Sequence, residues 1–367
     1  MPIMPIKQLF DDLWKNSNRQ ESPFLSNEFF KALEESHVIG EKTGWEPLMF
    51  HNENSKLFTF SKSHSYGEYI FDWDWAHAYE RHGFNYYPKL TSMIPFTSVT
   101  TKHFIGESSK ELMDSYEYFY QAGDFSSSHF LFLDQSEIDF FKSYDYLIRD
   151  SFQYHFINER YKNFDNFLSK LKSKKAKQIK KERAFSAEFS FHEYSGENLT
   201  PHHAQRMYHF YLATVTKKNA IAYLNEDFFK IIFASLKNHI FYVEASFKDK
   251  MIAGSLYFFS ANKLFGRHWG AIEDHPNLHF ELCYYRGIEF AIKNKLQIFE
   301  AGAQGEHKIA RGFRPVKIFS AHKMKNSNFH DAIKKYISDE RNQINRILPE
   351  LSKGLPFKSE EVPPCTT

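Results

Sequence analysis

Cysteine is almost missing from this chain. Cys283 and Cys365 are the only two in 367 residues, too few for a disulfide framework and in keeping with a reducing compartment. A surplus of charge of either sign is missing as well: the formal net charge is +2, which gives no global pull toward nucleic acid or an anionic membrane. The longest apolar run, Met251 to Phe259, is far short of the roughly 20 residues a membrane-spanning helix needs. The N-terminus, MPIMPIKQLFDDLWK, has prolines and then acids where a signal peptide carries basic and then apolar residues. The expected location is the cytoplasm.

Several catalytic signatures are also lacking. There is no HExxH, no CxxC and no G-x-S-x-G, and among the 19 histidines His275 and His279 are separated by Pro276. A metal centre is therefore not expected. A serine or cysteine nucleophile is not expected either. Cys283 sits among apolar residues of a predicted helix and reads as an inert buried thiol.

What is present is a globular composition, 42% hydrophobic and 25% charged, over about two domains' length. Phenylalanine is abundant, with 40 Phe beside 21 Tyr, and is taken to do packing work elsewhere given to Leu. The pattern is α/β throughout. Ser26 is placed to cap a helix with Phe29, Phe30 and Leu33 on one face, and strand-like runs follow at Trp45 to His51 and Leu57 to Asp72. YYPKLTSMIPFTSV reads as an edge or irregular extended segment because of Pro88 and Pro95. A helix over Lys110 to Ala122 and the strand HFLFL close the first half.

From Lys170 to Arg183 there are seven Lys, one Arg and a single Glu. Two readings fit: a solvated helix face joining two halves, or a ligand surface. Beyond it, Thr200-Pro201 opens a helix. HIFYVEASF, MIAGSLYFF and LFGRHWGAI form a three-strand meander, a helix covers His279 to Asn294, and QIFEAGA and VKIFSAHKM precede a last helix over 328–348. The expected division is 1–160, a basic connecting helix at 161–190, a second half at 191–350, and a disordered tail at 351–367.

HSYGEYIFDWDWAHAYERHG, YYPKLTSMIPFTSV, GRHWGA, LHFELCYYRGIEFAIKN and FEAGAQGEHKIARGF, together with the basic run, resemble the bacterial FemAB-like predicted N-acyltransferases, relatives of the GNAT enzymes that are linked by name to peptidoglycan biosynthesis. The resemblance covers about Phe24 to Ile347. It implies an α/β fold of tandem GNAT-like halves with mixed sheets and flanking helices, the first half degenerate and the second bearing the donor cleft. It also implies a co-substrate rather than a tightly bound cofactor, either acyl-CoA or aminoacyl-tRNA, and a small-molecule or peptide amine as acceptor. The GNAT pyrophosphate loop is only partly matched, by Arg267, Gly270 and Ile272. The basic run Lys170 to Arg183 would then be where tRNA binds. A catalytically silent GNAT-like binding protein is the alternative outside enzymes.

Acyl transfer to an amine needs a proton acceptor, donors for the developing oxyanion and a cleft aligning two substrates. The segment Glu300 to Lys308 is richest in such groups. Glu306 is the candidate base, His307 and His268 candidate relays, Gln304 a candidate oxyanion donor, and Glu300 a further polar group. Arg311 is placed to pair with an anionic group of the donor, and Arg267 belongs to the Arg-His-Trp run of a cleft wall. His279 and Glu281 open the crossover helix, where free backbone N–H groups suit a phosphate. In the first half His64, Tyr66, Glu68 and Asp72 are expected to alternate on one strand face, with Lys89 on the same wall. A solvated edge is the competing reading there.

Overall fold

The structure is a computed structural model that describes residues 2–9, 22–302 and 305–358. In chain order it forms α1 (Asn27–Glu35), β1 (Trp45–His51), β2 (Ser55–Lys62), α2 (Trp73–Arg81), β3 (Lys89–Ser92), β4 (Phe104–Gly106), α3 (Lys110–Ala122), β5 (Ser127–Leu133), α4 (Ile138–Lys142) and β6 (Leu147–Ile157). Then come α5 (Phe164–Ser169), α6 (Ser173–Ala184), β7 (Ser190–Ser195), α7 (Pro201–Lys217), α8 (Glu226–Ser235), β8 (Ile240–Phe247), β9 (Lys250–Phe259) and β10 (Lys263–Ala271). The rest is α9 (Leu278–Phe280), a π-helical turn (Glu281–Tyr285), α10 (Arg286–Lys293), β11 (Ile298–Glu300), β12 (Arg314–Met324) and α11 (Ser327–Lys353). Local chemistry explains many starts. The Ser26 hydroxyl accepts from Phe29 N at 3.3 Å, Asn225 accepts from Phe228 N at 3.0 Å, and His203 accepts from Thr200 N at 3.0 Å in a capping box ahead of Pro201.

Two compact units result: Met1–Phe152 with Lys317–Arg346, and Gln153–Val316 with Ile347–Thr367. The last helix thus does not stay with residues 191–350, because most of α11 and of β12 packs with the N-terminal unit. Residues 351–358 are also ordered chain: Leu355 and Phe357 are buried, and Leu171 forms a β-bridge with Phe357. The remainder of the expected tail, Cys365 included, lies outside the described residues.

Each unit carries the pattern expected of a GNAT-like half. In the first, β1–β2–β3 are antiparallel, α3 crosses over, β5 pairs parallel to β3, and β12 lies antiparallel to β5. In the second, β7–β8–β9–β10 are antiparallel, α9 to α10 cross over, β11 pairs parallel to β10, and β6 lies antiparallel to β11. β3 is an interior strand rather than an edge. It spans only the four residues Lys89–Ser92, so Pro88 and Pro95 fall outside its ladder and cost it no hydrogen bond. The cores are aromatic: Phe130, Phe141 and Tyr146 pack with Tyr116 and Leu112 in the first unit, and Phe241 stacks on Phe290 at 4.0 Å in the second.

Gly270 lets α7 lie on the second sheet. A Cβ there would come 1.7 Å from the Phe210 carbonyl oxygen, and one on its cross-strand partner Gly254 would come 2.8 Å from the Phe210 and Tyr242 side chains. Gly270→Ala should therefore lower unfolding free energy by at least about 2 kcal/mol, in the range of overpacked cores. Urea denaturation would read this as a lower midpoint at unchanged slope.

Candidate active site

The site in the second unit begins where two parallel strands part. β10 and β11 pair at Lys263↔Ile298, Leu264↔Phe299 and Phe265↔Glu300, and then stop. A register shift between Gly266 and His268 bulges β10 at Arg267. β11 ends at Glu300, and Gly302 turns with φ +83°, a left-handed conformation that glycine takes at least cost. Beyond that point β10 continues against β9 alone, and its free side faces the end of β11.

Buried polar side chains gather at the parting. The Glu300 carboxylate lies 3.4 Å from Arg267 Nη2 and 3.5 Å from Lys263 Nζ. Lys308 Nζ donates to the Gly302 carbonyl at 2.8 Å and so ties the turn down. Burial lowers the Lys308 ammonium to about 8 and the neighbouring His155 imidazole to about 4. Cys283 faces the same region, and burial pushes its thiol up to about 12, as an inert thiol requires.

An imidazole and aromatic wall stands beside them. His307 Nε2 shares a 2.7 Å hydrogen bond with the Tyr284 hydroxyl. His279 packs at 5.0 Å against Trp269, 5.2 Å against Tyr284 and 6.3 Å against His307. Burial, then the His307 charge, brings His279 to about 4. Burial also lowers His307, helped by the Arg311 and Lys308 charges. Both imidazoles are therefore biased toward their neutral forms. Tyr284 belongs to the π-helical turn, a distortion that recurs at functional sites. Glu306 is exposed at the start of the turn that carries His307.

The expected residues divide into those this region brings together and those it does not. Arg267 meets Glu300, and His279 meets His307, with Glu306 adjacent in the chain. His268 points elsewhere, into the rings of Tyr211 and Phe229, where burial drops it to about 3. That makes it a neutral packing histidine rather than a relay. Arg311 is buried and committed: it donates to both Glu182 oxygens at 2.9 Å and to the Tyr285 hydroxyl at 3.1 Å, with Phe280 under its guanidinium. It is not open to a donor's anionic group. Glu281 is buried as well and receives Arg183 at 2.8 and 3.0 Å and Arg286 at 2.8 Å, so its end of the helix holds cations rather than a phosphate. Gln304 lies outside the described residues. Lys308, Tyr284 and His155 are the additions that only the structure makes.

In the first unit the strand ends at Lys62, and residues 63–72 form a loop that leads into α2, because Gly67 turns with φ +83° and breaks the extended path. The loop does not expose its carboxylates. Lys89 Nζ donates to Glu68 and Ser65, each at 2.8 Å, and to Asp72; Tyr86 donates to Asp72 at 2.7 Å. Lys89, Glu68 and Asp72 are all buried. His64 instead contacts the Thr43 carbonyl at 2.9 Å. Burial works against the Lys89 ammonium, but the two carboxylates hold it protonated. Burial would raise Asp72, yet Lys89 keeps it below the usual carboxylate range. Glu68 is raised, burial outweighing the nearby cations. Lys62 shares the cluster, 3.3 Å over the Trp45 ring and 3.8 Å from Glu68, and burial lowers it to about 6. A lysine with a depressed folded-state pKa destabilises the fold wherever the unfolded chain holds its proton. Its cost is therefore largest below about pH 6 and fades as pH approaches 10.5. Lys62→Met should stabilise the protein at pH 7, and this gain should shrink steadily toward pH 10 in urea melts.

With the geometry established, comparison with known proteins identifies the family. No curated protein matches the sequence. Among solved structures, a conserved protein of unknown function from Bacteroides thetaiotaomicron VPI-5482 is similar over 84% of this chain and 93% of its own, with 12% identity and a TM-score of 0.48. FemX is similar over 84% and 93%, at 8% identity and 0.49, and L-PGS from Bacillus licheniformis over 83% and 95%, at 8% and 0.49. Among the described residues no helix is long and apolar enough to cross a membrane. The FemAB_like family model, described as peptidoglycan biosynthesis/recognition, matches residues 5–359, nearly the whole sequence, and the chain belongs to that family.

Proposed function

We propose that this chain transfers an activated acyl group, delivered as the aminoacyl ester of a tRNA, to the amine of a peptide or peptidoglycan precursor by direct attack. Membership of the FemAB-like family supports acyl or aminoacyl transfer as the reaction class. The observation that carries the choice of donor is the segment after β10. A coenzyme A diphosphate needs free backbone N–H groups and positive charge there. Ile272 N is already spent on the Ile252 carbonyl at 2.8 Å, and the next residues are Glu273 and Asp274, followed by Pro276. These two carboxylates engage Lys250 and Lys217, so those lysines are not free to meet a diphosphate. Arg267, which would reach for it, is buried against Glu300.

In this reading the acceptor amine attacks the ester carbonyl, a C–N bond forms and the C–O bond to the tRNA ribose breaks. His307 takes the amine proton and returns it to the departing ribose oxygen, while Tyr284 holds the ring in place. Exposed Glu306 attracts the ammonium form of the acceptor to the mouth of the site. Lys308 supplies positive charge near the developing oxyanion.

A thermal-shift assay separates the donors, since a ligand that binds only the folded state raises its melting temperature. Charged tRNA should stabilise the protein and coenzyme A thioesters should not; the reverse outcome would overturn the choice of donor. Once transfer is measurable, His307→Gln should lower kcat by on the order of 10²-fold, as loss of a general base does. Glu306→Gln should instead raise KM for the amine with kcat nearly kept. Equal and small effects of the two changes would remove both assignments.

A further inference from the structure

A second site lies in the same unit, in an open groove of about 1300 Å³ bordered by the loop after β6 and the C-terminal end of α10. Arg160, Lys162, Lys293 and Lys295 line it. None of the four side chains makes an ion pair among the described residues. The one carboxylate on the lining, Glu289, is already held by Arg183 at 2.7 and 3.0 Å, so it does not neutralise the groove. Glu159, on the same loop, is taken by Arg314.

The four cations are brought together by a built connection. Asn158 Nδ2 donates to the carbonyls of Ala291 at 3.3 Å and Leu296 at 2.9 Å, its Oδ1 accepts from Tyr161 N at 3.1 Å, and its backbone N donates to the Gln297 carbonyl at 2.8 Å. One asparagine thus stitches the loop bearing Arg160 and Lys162 to the loop bearing Lys293 and Lys295. The dipole at the end of α10 accounts for some of the attraction of Lys293 and Lys295 to that place. It does not account for Arg160 and Lys162, which lie beyond the end of a strand.

The groove also continues into α6. Arg183, near the end of α6, clamps Glu289 and lies 4.6 Å over the Phe164 ring, and both of those residues line the groove. Between Ile157 and Arg183 the sequence holds ten cationic side chains against three carboxylates, in a protein whose whole formal charge is only +2. Positive charge is therefore concentrated on this strip and not spread over the chain. A row of exposed, unpaired cations beside a partly exposed aromatic ring suits a phosphodiester backbone, because each neutralised phosphate releases condensed counterions.

We infer that the groove of Arg160, Lys162, Lys293 and Lys295 binds the phosphate backbone of RNA and extends the tRNA contact of α6. This deepens the donor reading above and rests on it. The test is tRNA binding to the full-length protein over 50 to 300 mM salt on the order of the usual range. It compares the wild type, a groove variant (Arg160→Gln, Lys162→Gln, Lys293→Gln and Lys295→Gln together) and an α6 variant (Lys174→Gln, Lys177→Gln, Lys180→Gln and Lys181→Gln). All four groove cations are exposed, so the groove variant should melt where the wild type does. It should bind tRNA at least about tenfold more weakly, with a salt slope flattened by about two to three, since each lost phosphate contact removes a little under one. Unchanged affinity and slope in the groove variant, with a loss in the α6 variant, would sink the groove and leave the donor reading intact. A wild type that binds no tRNA would sink both. Binding of the wild type to vesicles of one-third phosphatidylglycerol that the groove variant loses, with tRNA binding unchanged, would reassign the groove to a membrane surface and overturn the inference.

Discussion

A parallel strand pair that stops pairing partway creates a problem and an opportunity. Among the described residues, backbone groups of β10 beyond Phe265 have β9 on one side and no strand on the other, and unpaired backbone away from water is costly. The chain answers with side chains. Arg267, thrown out by the bulge, donates to the Gly266 carbonyl of β10 at 2.8 Å and is set against Glu300, while Lys308 satisfies the carbonyl of Gly302 beyond β11. The polar groups that make the parting tolerable are also those that give it chemistry. The rest of the candidate site is arranged around that gap: the π-helical turn that carries Tyr284, and the turn that presents Glu306 and His307.

Around this gap, ion pairs hold the crossover helix in place. Arg183 grips Glu281 and Glu289, Arg286 grips Glu281 and Glu193, and Arg311 grips Glu182. Such partly buried, bidentate pairs add little net stability relative to apolar packing, but losing one partner strands the other. Their effect is geometric. They fix α6 by its C-terminal end, so that a helix with only one fully buried side chain, Ile179, stays folded and presents its lysines outward. A scaffold anchored by charge at one end can carry a surplus of charge along the rest.

The first unit uses the same repeated pattern differently. Where the second unit leaves a gap, the first closes its polar residues into a sealed cluster. Lys89 sits between Glu68 and Asp72, His129 and His322 face each other across β5 and β12 at 2.8 Å, and Ser127 and Ser320 complete the imidazoles. Burial keeps both histidines neutral, so one nitrogen donates and the other accepts without a like-charge penalty. Two halves of related topology thus spend their buried polar groups on different ends.

Hydrophobic periodicity and capping chemistry were enough to read the α/β class, the three-strand meander of residues 240–271, the caps at Ser26 and Thr200, the basic helix and the inert Cys283. These depend on neighbours close in sequence, which the sequence displays directly. The string Glu300 to Lys308 stood out in the sequence because glycines lie beside titratable groups at a strand end, and the chain does turn there, at Gly302. What the sequence could not show was the allocation of each charge. Arg311 and Glu281 looked like ligand-binding groups, and Glu68 and Asp72 like an exposed face, because a charged side chain looks the same in one dimension whether it meets water or a partner 17 to 129 residues away. Only the tertiary structure decides which charges are spent on one another and which remain for a substrate. Pairing depends on distance in space, and burial sets whether an imidazole or ammonium keeps its proton.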